Sequence, residues 1–492
     1  MKSKYIKGLN ISSKLSAANK IVSAVGLFVL VISVGVFVVY NPAFDRNNIF
    51  VILTFFLNIA VFITQLLLST TEHAFSFNTM FWTFNLFFFG LAPFYQYVSG
   101  SAIWGYKPTD REFVISNVYI LTWVICFILG GKIYFNKKNA KKRIAFTKSI
   151  DEAEYTYIIR KNSLNILLVA AVVVVGYYAV FVGIENMFIR NSSSNKAIEL
   201  TSMRLLEEHV LKNIVVFNFV LHALEGKQKH IITPQLVIAT ACLLICCFPT
   251  ALARYSMAAV YASIMIILFD KTRNGRWFIT VFILALVVVF PAINVFRSVN
   301  SLESATNFWA TIKENIESVY TGGDYDSYAM FINVRRYKNF FGYSYGNQLL
   351  GALLFFFPRS IWTTKPMGTG STVFLALHPE FTNVSAPLIA EGYIDFGIIG
   401  VAIYALVAGA ITSWADKKYW ASDNPLSKER VVFPFLMFQF FFVLRGDLMS
   451  GGAYLIARMV MGLLTYYFVV KKVPVGEGET EIPKLKKCKY IK

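Results

Sequence analysis

Apolar residues in this 492-residue chain gather into long runs separated by short polar segments. A helix needs roughly 17–25 such residues to cross the hydrocarbon layer of a bilayer. Reading for runs of that kind places helices near 21–40, 49–69, 79–98, 113–134, 164–184 and 209–224. Further runs lie near 231–250, 255–269, 277–296, 386–414, 431–444 and 453–470. The pattern predicts an all-α polytopic membrane protein with about 12 transmembrane helices in a single domain. The run at Ile21–Tyr40 is too long for a signal-peptide core and lacks a small-residue cleavage site, so it reads as a retained first helix.

Composition turns that pattern into a statement about solvent. The chain is 56% hydrophobic and 15% charged, with a mean hydropathy of +0.55, and one water-soluble core cannot hide so much apolar surface. Phe (46) and Tyr (26) are both over-used, which suits lipid-facing helices with aromatic anchors at the interfaces. The net charge of +19 does not mark a nucleic-acid groove, because the cations are spread through short loops between apolar spans. It leaves anionic lipid and anionic substrate as partners. The cysteines, Cys126, Cys242, Cys246, Cys247 and Cys488, fall within apolar spans or at the end of the chain. They have neither metal-ligand spacing nor an outward loop to staple.

Charge also orients the spans. With the N-terminus inside, the inner segments receive Lys2 to Lys20, the run from Lys137 to Arg143, Lys227, Lys229, Lys271, Arg273 and Arg276. They also receive Lys417, Lys418, Lys428, Arg430 and the basic tail 471–492. Roughly thirty of the 47 cations then lie inside, the bias expected of cytoplasmic loops. Both termini are therefore expected in the cytoplasm, with the protein in the cytoplasmic (inner) membrane. The outward face keeps Arg254, Arg297, Arg335, Arg336, Arg359, Arg445 and Arg458, so arginine dominates there. Its planar fork pairs bidentately with phosphate or carboxylate, and an arginine near membrane depth is costly without a partner or a function.

One outward segment, 298–386, is far longer than the other connections, and a loop of that length is usually functional. Its first part is amphipathic, with Phe308, Ile312 and Ile316 at helical spacing, and Gly322-Gly323 breaks that helix. The stretch QLLGALLFFFPRSIW is too short to span and ends at Pro358-Arg359, so 348–362 is expected to be re-entrant or interfacial. The Gly- and Pro-rich TTKPMGTGST comes next, and NVSAPLIAEGYIDFGIIG leads into the next helix.

The order of a long outward loop, FFPRSIW, and NVSAPLIAEGYIDFGIIG running into a late helix resembles bacterial Wzy-type polymerases of polysaccharide repeat units, and more distantly O-antigen ligases. The early stretch MFWTFNLFFFGLAPFYQYVSG is similar in character to that family. An arginine, ten intervening residues and a glycine, a spacing described for such polymerases, occurs at Arg335 to Gly346 and at Arg359 to Gly370. Both matches fall in one loop, whereas the family usually places them in two.

The resemblance implies a GT-C-like scaffold and a metal-independent glycosyltransferase with no cofactor. Its donor would be a growing glycan on undecaprenyl pyrophosphate and its acceptor a single lipid-linked repeat unit, with a flippase and a chain-length regulator as partners. The product would be O-antigen, capsule or another surface polysaccharide. Such chemistry asks for cations near the leaving pyrophosphate and a group to take the hydroxyl proton. Arg254, Arg359, Arg335 and Arg445 are candidates for the first role, with Arg297 and Arg336 as further substrate contacts. For the second, Glu391 is favoured over His378, as an acid in an apolar context at a helix start.

Structural readings stand beside these. Arg335-Arg336 would line the wet side of a loop helix, Arg359 would snorkel to head groups, and Arg445 would pair locally with Asp447. Glu391 would bond across helices, His378 would be a loop residue, Asp324 and Asp326 would lie on a surface turn, and Gly392, Gly397 and Gly400 would permit close packing. A ligase-like transferase uses the same residues. A transporter or lipid-linked-oligosaccharide flippase has a similar helix number but should show internal repeats, which this chain lacks.

Overall fold

The computed structural model describes residues 48–105, 107–145, 155–183, 187–188, 207–249, 251–269, 320–377 and 384–474. Helix α1 is Ile49–Glu72, followed by α2 (Phe77–Phe84), a π-helical turn (Asn85–Leu91) and α3 (Ala92–Ser99). Then come α4 (Asp110–Ala145), strand β1 (Tyr155–Ile159), α5 (Lys161–Tyr177), α6 (Lys212–Lys229), α7 (Pro234–Cys246) and α8 (Arg254–Leu268). The long segment expected to face outward contributes α9 (Ser327–Phe341), α10 (Asn347–Leu353) and α11 (Thr369–Leu377). The chain closes with α12 (Leu388–Ala421), α13 (Lys428–Arg445), α14 (Leu448–Val469) and β2 (Val470–Pro474).

Helices stand wherever a predicted span falls on described residues; 21–40 and 277–296 lie outside them. Among the described residues, five stretches are long and apolar enough to cross a membrane: Ile49–Thr70, Asp110–Tyr134, Lys161–Phe181, Leu388–Ala421 and Leu448–Val469. The protein is thus a helical membrane protein. Two predicted spans are short as helices, at 13 residues for α7 and 15 for α8.

Local chemistry sets the helix starts. Asn48 accepts from the Phe50 N–H, Ser76 from Thr79 and Thr233 from Leu236, each an N-cap that satisfies an otherwise orphaned donor. Thr109 and Glu112 form a reciprocal capping box at the start of α4.

The chain divides into two compact units. The first comprises 1–132, 253–417 and 435–456. Its core is aromatic: Phe55, Phe94, Phe113 and Tyr328 pack ring on ring. A buried polar chain runs through it, in which the Tyr328 hydroxyl donates to Asn117 Oδ1 (2.9 Å) and Asn117 donates to Thr54 Oγ1 (2.8 Å). Asp416 accepts the Phe77 and Asn78 N–H groups at 2.7 and 3.0 Å and so anchors the start of α2. Glycines let α4 and α12 touch backbone to backbone, with Gly130 against the Leu406 carbonyl and Gly409 against that of Phe127.

The predicted span 386–414 is not one straight rod. Helical geometry breaks at Phe396 (φ −141°) and Gly397 (φ +63°), and the arm Leu388–Asp395 bends back. A Cβ on Gly392 would lie 2.7 Å from the Gly400 carbonyl oxygen, although eight residues of straight helix would hold the two about 12 Å apart. The packing role expected of Gly392, Gly397 and Gly400 is thus to let the arm close on the rest of α12.

The second unit comprises 133–252, 418–434 and 457–492. Strands β1 and β2 pair antiparallel from Tyr155↔Pro474 to Ile159↔Val470, a small ladder that an all-helical reading did not include. The ladder takes the first residues of the predicted basic tail, and 475–492 lie outside the described residues. Arg430 donates to the Ser422 carbonyl at 2.8 Å and lies over the Tyr419 ring. Arg458, expected on the outward face, is buried within this unit.

Candidate functional site

Within the first unit, several elements meet at the turn Arg445-Gly446-Asp447-Leu448 that joins α13 to α14. Arg445 points its fork into the loop ahead of α9. Its Nε donates to the Asp324 carbonyl (3.0 Å), and its terminal nitrogen donates to the Gly323 carbonyl (2.9 Å) and lies 3.5 Å from Asp326 Oδ1. The local Arg445–Asp447 pair is replaced by this long-range one.

Asp326 departs from its expected place on a surface turn. It is 1% exposed, and Ser385 donates to its Oδ1 from the hydroxyl (2.6 Å) and to its Oδ2 from the backbone (3.4 Å). Burial pushes its carboxyl up from the ordinary aspartate range, while the Arg445 charge and the Ser385 donors act in the opposite direction. A buried carboxylate survives when it is paired and hydrogen-bonded, and Asp326 is both.

Asp447 caps α14, accepting the Met449 and Ser450 N–H groups at 2.9 and 3.2 Å. Its other oxygen accepts from Gly370 at 3.4 Å. Glu391, on the folded-back arm of α12, reaches the same helix start: Oε1 accepts the Leu448 N–H (2.8 Å) and Oε2 accepts the Thr369 hydroxyl (2.6 Å). It is 2% exposed. Two carboxyl groups therefore share the positive end of one helix, which favours negative charge there, while their burial and closeness to each other oppose it. Gly368 and Gly370 let this stretch pack here because neither carries a side chain; a Cβ on Gly368 would clash with Asp447 Oδ2. A Cβ on Gly370 would meet the Val384 and Ser385 carbonyl oxygens at 2.6 and 2.9 Å.

Arg254 opens α8, whose second residue, Tyr255, stacks on Phe442 at 3.9 Å between centroids. The start of α8 thus lies beside the last turn of α13. Of the predicted site residues, Glu391, Arg445 and the helix start bearing Arg254 come together here.

The others go elsewhere. Arg336 makes a bidentate pair with Glu112 (2.6 and 2.8 Å), and Arg335 donates to the Glu112 carbonyl (3.0 Å) and Ser116 (2.7 Å) while lying over the Tyr119 ring. Both fasten α9 to the start of α4 rather than lining a wet face. Arg359 donates to the Lys365 and Pro366 carbonyls, the second at 2.9 Å, and closes its own loop. Arg297 and His378 lie outside the described residues.

Asp395 was not singled out from the sequence. It is buried and accepts from the Ser344 hydroxyl (2.5 Å), the N–H groups of Gly346 (3.1 Å), Gln348 (3.3 Å) and Leu349 (3.2 Å), and the Tyr404 hydroxyl (2.8 Å). This clamp holds the left-handed pair Tyr345 (φ +49°) and Gly346 (φ +87°) at the start of α10. An acid inside the apolar run LIAEGYIDFGIIG was the available signal. Set against known proteins, the chain matches no family model, no curated protein and no solved structure.

Proposed function

We propose that this chain joins lipid-linked oligosaccharide repeat units into a surface polysaccharide at the outer face of the cytoplasmic membrane, as a Wzy-type polymerase. The observation that carries this reading is the turn 445–448, where a cationic fork and a buried carboxylate from distant parts of the chain converge at the ends of apolar helices. A polyprenyl pyrophosphate brings its charge to that depth because its tail lies in the lipid.

In the proposed step the acceptor hydroxyl oxygen attacks the anomeric carbon of the donor glycan. The bond from that carbon to the pyrophosphate oxygen breaks, and the lipid pyrophosphate leaves with the electron pair. Glu391 takes the hydroxyl proton, and Arg254 and Arg445 offset the charge gathering on the leaving group. Arg359 meets the pyrophosphate at the membrane surface with the N–H groups not committed to its own loop. Arg335 and Arg336 act at one remove, by holding α9 and the Asp326 loop in place.

Deletion in the native host, followed by gel analysis of surface glycan, tests the function. Loss of the ladder with single repeat units retained is expected, and an unchanged ladder would sink the proposal. A ligase-like transferase would instead leave full-length polymer unattached to its final acceptor. Glu391→Gln tests the base, because the amide oxygen can still accept the Leu448 N–H and its NH2 can donate to the Thr369 hydroxyl, but it takes up no proton at neutral pH. The expected result is no ladder from a protein that is made and melts normally; a full ladder would exclude Glu391 as the base.

A further inference from the structure

The geometry points to the loop between α10 and α11 as a wedge that inserts into the outer membrane interface, its phenylalanines among the acyl chains and its two cations at phosphate level. This rests on the chain being a membrane protein and is independent of the polymerase reading.

The first observation is exposure in the wrong place for water. Outside the membrane-crossing stretches, this loop exposes Phe356, Phe357, Ile361 and Met367, with Phe356 at 64% and Ile361 at 73%, and α10 ahead of it exposes Leu350 and Leu353. Phe355, Phe356 and Phe357 cluster on one another, with centroids 5.7 and 4.8 Å apart. Soluble surfaces rarely carry so dense a run of large apolar side chains, and such a run marks a surface that something covers.

The second observation concerns the backbone. Irregular chain enters lipid only when its carbonyls are satisfied from within the protein, because no water is there to serve them. This loop serves four of its carbonyls with its own two cations. Lys365 Nζ donates to the Phe355 and Phe357 carbonyls at 2.6 and 3.0 Å, and Arg359 donates to those of Lys365 and Pro366. Nearby, the Phe357 and Ile361 N–H groups donate to the Leu354 and Pro358 carbonyls at 3.1 Å each. The sequence LFFFPRSIWTTKP thus folds back on itself, with Phe356, Phe357 and Ile361 exposed and several of its carbonyls tied within the loop.

The third is charge complementarity. Both cations sit within the apolar loop, with aliphatic stems that let them snorkel, so the occupant must offer hydrocarbon and anionic oxygen side by side. Burial and the Arg359 charge pull the Lys365 ammonium below its ordinary value, a cost that a phosphate head group offsets. A phospholipid surface meets both needs.

The test uses the full-length chain in phosphatidylcholine–phosphatidylglycerol nanodiscs, with p-benzoylphenylalanine in place of Phe356 or, separately, Ile361. Both side chains are exposed, so the fold does not depend on them. Val169, exposed on the membrane-crossing helix α5, is the lipid-facing control, and Lys107, exposed in the irregular connection ahead of α4, is the water-facing one. After irradiation, phospholipid adducts at 356 and 361 should match those at 169 and exceed those at 107 several-fold. Adducts at 169 but not at 356 or 361 would overturn the proposal. So would crosslinks from 356 or 361 to a second protein chain, which would assign the loop to a protein interface.

Discussion

FFFVLRGD and LLFFFPRSIW are nearly alike, each an apolar run that ends in arginine, yet they build opposite structures. In the first, α13 stays helical through Arg445, and the next residues turn at once into α14. The guanidinium is therefore aimed by a rigid helix end into a loop more than a hundred residues away in sequence. In the second, Pro358 comes directly after the run, and Arg359 folds back on carbonyls six and seven residues ahead. One arginine fastens distant elements around buried acids, and the other fastens only its own exposed loop. The difference lies in the proline that breaks the second run and in whether a buried carboxylate is within reach.

Removing the acid that receives Arg445 should break this contrast most severely. Asp326→Ala leaves the guanidinium without its carboxylate and strips Ser385 of its acceptor. Losing one partner of such a pair costs on the order of 3 kcal/mol, kept below the fully buried case by the partial exposure of Arg445. The expected result is a large drop in the melting temperature of the detergent-solubilised protein, with partial rescue by Asp326→Asn, which still accepts from Ser385. Equal melting of wild type and Asp326→Ala would mean that the turn is not a structural anchor.

A smaller loss is expected from Gly370→Ala, which adds one methyl where α11 lies against 384–385. Its nearest neighbours are backbone carbonyls, which cannot swing aside as a flexible side chain would. Overpacking of that sort costs about 1–3 kcal/mol. The Asp447 contact to the Gly370 N–H should loosen with it, so hydrogen exchange at the start of α14 should quicken. Exchange unchanged from wild type would separate the Gly-rich stretch from the helix start.

These anchors explain what was legible in the sequence and what was not. The helices were, because their apolar runs report on solvent locally. The arm that folds back at Phe396-Gly397 was not, since Gly397 reads equally as a packing glycine and as a break. Partners were the least visible. Arg336 and Glu112 stand 224 residues apart, and no local pattern announces that they meet. The same applies to Asp326, which composition assigns to a surface turn and Ser385 and Arg445 draw inside. Glu391 was found as an acid in an apolar context, but its tie to the head of α14 emerges only once the turn is in place.

The smallest effect on stability should come from Arg359→Ala, and for that reason it is the most informative about function. The change removes donors from two carbonyls of an exposed loop, at a side chain placed at head-group level, where water can replace them at a cost of about 1 kcal/mol or less. The melting temperature should therefore stay close to wild type, in contrast to Asp326→Ala. If Arg359 also meets the leaving pyrophosphate, the ladder should collapse even though the protein is as stable and as abundant as before. Arg359→Lys should recover only part of it, because a single ammonium cannot hold the loop carbonyls and an anion with the fork's geometry. A full-length ladder from Arg359→Ala would leave this arginine as a loop fastener alone and concentrate the chemistry on the turn at Arg445.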